Sequence, residues 1–301
     1  MTTTPPTVIP SAVPSVAPAG SDDRAVVLIT GASSGIGDAT ARRFAARGWR
    51  VFASMRSLEK GESLRAEARQ QGWDLHTPAL DVTSDASVRD AVNSLLTATG
   101  GRMDVLVNNA GYYAFGPLEE TTPDELRAQM ETNVIGVHRV TRAVLPSMRA
   151  QRRGRVIVVG SVSGLVALPV VGPYHASKWA IEAWAETLRY EVSALGINVS
   201  LIEPGPFQTA LHDNEVLSTA AKSPDSPYAG LLAAYQHQAK QQRRAKLPAL
   251  VDVIERAATT PRPRLRWPVG PNSFSAAYLR RIVPDRIYEF VMRIVFRARA
   301  R

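Results

Sequence analysis

The 301-residue chain contains no cysteine. Disulfides, thiolate metal sites and thiol nucleophiles are thereby excluded, and folding needs no oxidising compartment. The first 21 residues carry no charge, and five of them are proline. That proline density forbids a helix. The basic start and unbroken apolar run of a secretory signal are both missing. Residues 1–23 are therefore expected to form a disordered or extended tail. No solenoid-type repeat is present. Residues 156–173 lack charge, which is the length of a membrane-span candidate. Three glycines, two prolines and two serines interrupt them, so they read as a buried strand and an apolar loop. The expected location is cytoplasmic.

The net charge of +9 is uneven. Residues 222–301 hold 16 Lys/Arg against 5 Asp/Glu, a surplus of 11, whereas residues 1–221 hold 20 against 22. One reading of the basic quarter is a solvated arginine-rich face. The other is a surface for anionic lipid or another acidic partner, which would make the protein membrane-peripheral. No nucleic-acid motif accompanies the charge, so nucleic acid is not the expected partner.

From residue 25 onward, short apolar runs alternate with helical patterns. Strands are expected at 25–30, 50–55, 74–80, 103–109, 155–161, 197–203 and 264–270. Helices are expected at 35–47, 57–71, 84–99, 123–149, 174–195 and 249–259. Residues 210–248 read as an irregular, polar loop or lid. Strands apolar on both faces and alternating with helices specify an α/β protein with a doubly wound parallel sheet of about seven strands. Residues 24–270 would be one domain. Residues 271–301 would be a basic helical extension, whose segment Ile282 to Phe296 is amphipathic at helical spacing.

TGASSGIG, residues 30–37, follows the first strand and opens the first helix. Gly31, Gly35 and Gly37 are the three glycines of a dinucleotide turn, with Ser33, Ser34 and Ile36 between them. The helix N-terminus would present free N–H groups to a diphosphate. An NAD site wants an acid at the end of the second strand to hold the ribose 2′-hydroxyl. The sequence has Met55 and Arg56 there, with no carboxylate until Glu59. An arginine suits a 2′-phosphate, so the expected cofactor is NADP(H) in preference to NAD(H).

YHASK, residues 174–178, sets Tyr174 and Lys178 one helical turn apart. A nearby ammonium favours the phenolate and would bring a tyrosine toward useful acid/base chemistry.

With TGASSGIG, NNAG (108–111), Asn133, Ser161 and YHASK in this order, the chain resembles the short-chain dehydrogenase/reductase family from residue 24 to about 212. The look is closest to the branch of steroid and retinol dehydrogenases. The resemblance implies a Rossmann-type fold and a tyrosine acid/base mechanism. It assigns Tyr174 as acid/base and Lys178 as the residue that lowers its pKa and holds the nicotinamide ribose. Ser161 would bond the reacting oxygen, and Asn133 would hold a relay water. Asp81 and Val82 would contact the adenine. Asn109, Ala110 and Gly111 would lie beneath the adenosine ribose. Pro204, Gly205 and Thr209 would position the carboxamide. It also implies a homodimer or homotetramer paired through the helices at 123–149 and 174–195.

The residues expected to face a substrate are Tyr112, Tyr113, Phe115, Leu165, Val166, Leu168, Val171, Phe207 and Leu211. An apolar pocket with polar groups at one end suits a hydrophobic ketone or secondary alcohol of steroid, retinoid or lipid type. The rival readings are a non-catalytic NADP(H)-binding protein and a membrane-surface protein. The C-terminal helix could lie on a membrane, on the body or on a second subunit.

Overall fold

The computed structural model describes residues 24–209, 215–275 and 282–297. The proline-rich tail and Leu211 lie outside the described residues. Nine strands occur among those residues, beginning with β1 (Val26–Ile29), β2 (Arg50–Ala53), β3 (Leu75–His76) and β4 (Val105–Asn108). They continue with β5 (Ala114–Phe115), β6 (Gly154–Val159), β7 (Ile197–Pro204), β8 (Val216–Leu217) and β9 (Arg266–Val269). Seven form one parallel sheet in the order β3-β2-β1-β4-β6-β7-β9. β5 and β8 make a separate parallel pair.

Alternation along each strand builds the core on both faces. Val26 and Leu28 of β1 point into one apolar cluster, and Val27 and Ile29 into the other. The first cluster is closed by α3 (Asp85–Ala98), α5 (Gly136–Ala150) and α6 (Gly172–Val192). The second is closed by α1 (Gly35–Ala46), α2 (Glu62–Gln71) and α8 (Pro248–Thr259). Strand order reverses at β1 and β4, and in such sheets the ligand crevice opens at the strand C-ends beside that reversal.

Local chemistry sets the boundaries. Ser84 caps α3 by accepting from the Ser87 N–H. Thr122 and Glu125 form a reciprocal capping box on α4 (Pro123–Met130), with proline in its first turn. The expected helix at 123–149 is divided: a π turn, Glu131–Ile135, joins α4 to α5. The expected third strand is paired only over Leu75–His76, with an isolated bridge from Ala79 to Met55. Between them Pro78 has no N–H to give, so only its carbonyl is used, accepting from the Met55 N–H at 3.3 Å.

One expectation fails. Residues 210–248 are not simply irregular, because they contain β8 and a 13-residue helix, α7 (Ala229–Gln241). Its glutamines, histidine and lysine hide a short apolar face, with Leu232 and Ala234 buried. In the C-terminal segment a helix spans Asp285–Arg297. It starts after Pro284, whose carbonyl accepts from Ile287 and Tyr288.

Candidate active site

The glycine turn between β1 and α1 is held from β4. Asn109 Nδ2 donates to the carbonyls of Thr30 and Gly31 at 2.9 and 3.0 Å. The backbone N–H groups of Asn109 and Ala110 donate to Thr30 Oγ1, both at 3.0 Å. Gly31 has φ +67° and lies so close to β4 that a Cβ would sit 2.8 Å from Ala110 Cα. At Gly37 a Cβ would meet the Gly31 carbonyl at 2.5 Å. Ser34, at the N-cap of α1, makes no side-chain capping bond. The first N–H groups of that helix therefore point into an open cleft without a protein cap, which is the arrangement an anionic group requires.

That cleft runs into one cavity of about 1750 Å³. Gly31, Ser33, Ser34, Gly35, Ile36, Arg56, Asp81, Val82, Asn109, Ala110 and Gly111 line one part of it. Asn133, Ser161, Tyr174, Lys178, Pro204, Gly205 and Thr209 line it as well. Of the residues expected to hold the cofactor or act in catalysis, Gly37 stands outside the lining. It is buried in the first turn of α1, where it permits close packing and faces no ligand space.

At the β2 end, Met55 is buried and Arg56 is exposed on the cavity wall, with Lys60 near it. Lys60 was not foreseen from the sequence, because a lone lysine inside a polar helical stretch carries no signal. Asp81 accepts from the Thr83 N–H at 2.9 Å and the Thr83 hydroxyl at 2.8 Å. Burial works to raise its pKa, but these bonds and the charges of Arg56 and Arg139 hold the carboxyl below its ordinary value.

At the other end, Tyr174 and Lys178 are both buried on α6, with Lys178 Nζ 5.6 Å from the centre of the Tyr174 ring. Lys178 Nζ donates to the Val159 carbonyl at 2.9 Å. Ser161 follows β6, and its hydroxyl oxygen accepts from the Ser163 N–H at 3.1 Å. Burial pushes the Tyr174 phenol up to about 12, opposed by a hydrogen bond with Ser161. Burial likewise pushes the Lys178 amine down to about 8, opposed by the Glu182 carboxylate one turn along α6. Desolvation thus drives both groups toward neutrality, and the sequence spacing alone could not show how deeply they are buried.

Asn133 lies in the π turn. Its Oδ1 accepts from the Tyr112 N–H, and its Nδ2 donates to the Tyr112 carbonyl and to Ser177 Oγ, all at 3.1 Å. Ser177 Oγ in turn donates to the Tyr174 carbonyl at 2.8 Å. The irregular turn is therefore tied through Ser177 to the backbone of Tyr174. His175, also unforeseen, pins the loop after Ser161. Leu168 N–H donates to Nε2 at 3.2 Å, so Nδ1 carries the proton and donates to the Ser163 carbonyl at 2.7 Å. Burial holds His175 below its ordinary pKa, which keeps it in this neutral form.

Aromatic and aliphatic groups close the cavity over Tyr174. The Tyr113 ring lies 4.7 Å from the Tyr174 ring. The Tyr113 hydroxyl bonds that of Tyr235, delivered by α7. Of the expected apolar residues, Tyr112, Tyr113, Val166, Leu168, Val171 and Phe207 line the cavity, joined by Val216 and Tyr235. Phe115 and Leu165 are instead buried in packing and do not line the cavity.

The doubly wound sheet, the uncapped glycine turn and the buried Ser-Tyr-Lys group define an α/β oxidoreductase. Comparison with known proteins agrees: residues 25–219 match the family described as short chain dehydrogenase. The chain belongs to that family of short-chain dehydrogenases/reductases. It is 34% identical over 276 residues to a 3-ketodihydrosphingosine reductase of Bacteroides thetaiotaomicron, covering 91% of this chain and 98% of that one. It is 32% identical over 269 residues to an NADPH-dependent 3-dehydrocapnine reductase of Ornithobacterium rhinotracheale, covering 87% and 94%. A crystal structure of a short-chain dehydrogenase from Streptomyces avermitilis superposes with TM-score 0.77 at 32% identity, covering 91% of this chain and 98% of the other. Other similar solved structures hold NADP or NAD.

Proposed function

We propose that the protein is an NADP(H)-dependent reductase of hydrophobic ketones, with oxidation of the corresponding secondary alcohols as the reverse reaction. The observation that carries this reading is one continuous cavity. It has the uncapped glycine turn and Arg56 at one end and Tyr174 beneath an apolar ceiling at the other. The residues fit a dinucleotide. Ser33, Ser34, Gly35 and Ile36 line the cleft at the glycine turn, and the uncapped α1 N–H groups face it. Arg56 and Lys60 would hold a 2′-phosphate, and Asp81 and Val82 the adenine. Lys178 would hold the nicotinamide ribose, and Pro204, Gly205 and Thr209 the carboxamide. Two relatives named as reductases, one of them NADPH-dependent, support the direction and the cofactor.

Bound there, the reduced nicotinamide supplies hydride to a carbonyl carbon. The protein handles the charge that builds on the carbonyl oxygen. Ser161 has its oxygen engaged by the Ser163 N–H, which leaves its proton to donate to that oxygen. Tyr174 donates a second hydrogen bond and gives up its proton at the same oxygen. Its raised pKa keeps the phenol protonated before the reaction, as a proton donor must be. Lys178, with its pKa near 8, is poised to lose a proton near neutral pH and to restore the donor. The Asn133–Ser177 bonds fix the turn of α6 that carries Tyr174. Tyr113, Leu168, Val171, Phe207 and Tyr235 exclude water and accept an apolar substrate body.

We also propose that copies pair through the outer faces of α5 and α6. Trp179 and Tyr190 stand exposed on α6, and Ile135 is exposed where the π turn enters α5. A screen of hydrophobic ketones with NADPH and NADH tests the catalytic reading. Oxidation of NADPH by an apolar ketone supports it, and activity confined to small charged substrates would overturn it.

A further inference from the structure

The C-terminal helix, Asp285–Arg297, carries an apolar ridge that stays exposed among the described residues. Ile287, Phe290 and Ile294 are 55%, 64% and 53% exposed, and Val291 stands among them. Their spacing of three, four and seven residues puts them on one side of the helix. The preceding Ile282 is 76% exposed. Contiguous bulky apolar groups in water are costly, and they mark a surface with a partner. The opposite side of the helix is used: Phe296 is buried, and the Tyr288 hydroxyl donates to the Ala167 carbonyl at 3.3 Å. Ala167 sits between Val166 and Leu168, both on the cavity wall. The helix also packs on α7, which supplies Tyr235 to the same cavity. The ridge therefore belongs to a helix anchored on the cavity wall.

Charge selects the partner. Arg286 and Arg293, seven residues apart, lie along one flank of the ridge. Asp285 and Glu289, the latter 3.6 Å from Arg293, balance those two charges locally, and Arg297 leaves the helix one positive charge in excess. The chain from residue 222 onward still carries 16 basic against 5 acidic residues. Two copies joined through this ridge would bring like-charged surfaces together, whereas an anionic surface would be attracted.

We propose that this helix docks the protein on an anionic lipid bilayer, with the mouth of the cavity held against the membrane surface. Ile287, Phe290, Val291 and Ile294 enter the interfacial layer, and Arg286 and Arg293 reach lipid phosphates. A hydrophobic ketone then passes from the lipid phase into the cavity beside Leu168. Only that delivery rests on the proposed ketone reduction, whereas docking itself does not.

The test is co-sedimentation of the full-length protein with phosphatidylcholine vesicles, with and without phosphatidylglycerol. The protein is expected to pellet with the anionic vesicles and to be partly released by salt. F290E/I294E should weaken this by at least about tenfold. R286Q and R293Q should each weaken it roughly fivefold. Thermal melting and NADPH affinity of each variant show that the fold and the cleft are intact; F290A/I294A substitutes if the glutamates prevent folding. No pelleting with anionic vesicles, or pelleting unchanged in F290E/I294E, overturns the proposal. So does a wild-type assembly, seen by sedimentation velocity, that F290E/I294E dissociates, since a second copy would then cover the ridge. Vesicle binding is read without catalysis, so its failure is distinct from failure of the ketone-reductase reading.

Discussion

The hydroxyl of Tyr235 meets that of Tyr113 across 122 positions of sequence, and this bond joins α7 to the loop after β4 directly above Tyr174. α7 thereby covers this end of the cavity, and it is held there through a side chain that can be edited. Tyr235→Phe removes the partner that α7 gives to Tyr113 and should cost about 1 kcal/mol, or roughly 2 °C in melting temperature. Tyr235→Ala should raise KM for an apolar ketone roughly tenfold, by loss of apolar contact area. NADPH affinity should not change, because the ring is at the other end of the cavity. An NADPH affinity lowered as much as the substrate's would show that α7 does not act as a substrate wall.

Lys178, at about 8, sets a pH window. In the reducing direction the protonated amine is the proton reserve, so turnover should fall as pH rises through about 8. Glu182 raises the lysine's pKa, so Glu182→Gln should move that fall to lower pH with little change in KM. The stability consequence has the opposite sense. The folded pKa lies below the unfolded 10.5, so the unfolded chain binds more protons between about 8 and 10.5. Lys178 therefore destabilises the fold most below pH 8, and that cost is relieved as pH rises through the window. A pH–rate profile of the two proteins decides the point; an unmoved midpoint in Glu182→Gln rejects it.

Arg56 and Lys60 should divide NADPH from NADH. Arg56→Ala removes a charge-assisted contact to a 2′-phosphate and should weaken NADPH about ten- to a hundredfold. NADH, lacking that phosphate, should change little. Lys60→Ala should show the same sign with a smaller size, since a flexible ammonium offers no fork geometry. Fluorescence titration of both cofactors checks this, and equal losses for both would remove the preference.

Behind Lys178, Arg266 reaches three carboxylates, at 3.0 Å for Glu182, 2.7 Å for Glu186 and 3.4 Å for Glu203. Glu203 is only 1% exposed. Arg266→Met withdraws the guanidinium from these acids and should destabilise the fold by about 3 kcal/mol. The loss should shrink in acid, where the carboxylates protonate. Denaturant melts at two pH values measure it, and an unchanged midpoint would mean that the cluster is balanced without Arg266.

Much of this was legible in the sequence because the parallel sheet repeats a simple pattern. The runs VVLI at β1 and VLVN at β4 are buried throughout, and both announce themselves as apolar stretches bounded by turn residues. The glycine turn and the Tyr174–Lys178 spacing are local, so adjacency in sequence becomes adjacency in space. What was not legible depends on distant packing. α7 is too polar to show its buried Leu232 and Ala234, so Tyr235 could not be placed over Tyr174. The π turn at Glu131–Ile135 is invisible in a helical pattern, yet it aims Asn133 at Ser177. Burial of Tyr174 and Lys178 is a property of the whole fold, and it reverses the direction of the tyrosine shift that the spacing suggests.

The most direct measurement compares wild type with Tyr174→Phe, following NADPH oxidation by an apolar ketone alongside NADPH affinity. The predicted result is unchanged NADPH binding with turnover lowered by at least about a hundredfold, since the variant removes the proposed proton donor. Turnover in the phenylalanine variant near the wild-type rate would contradict the account.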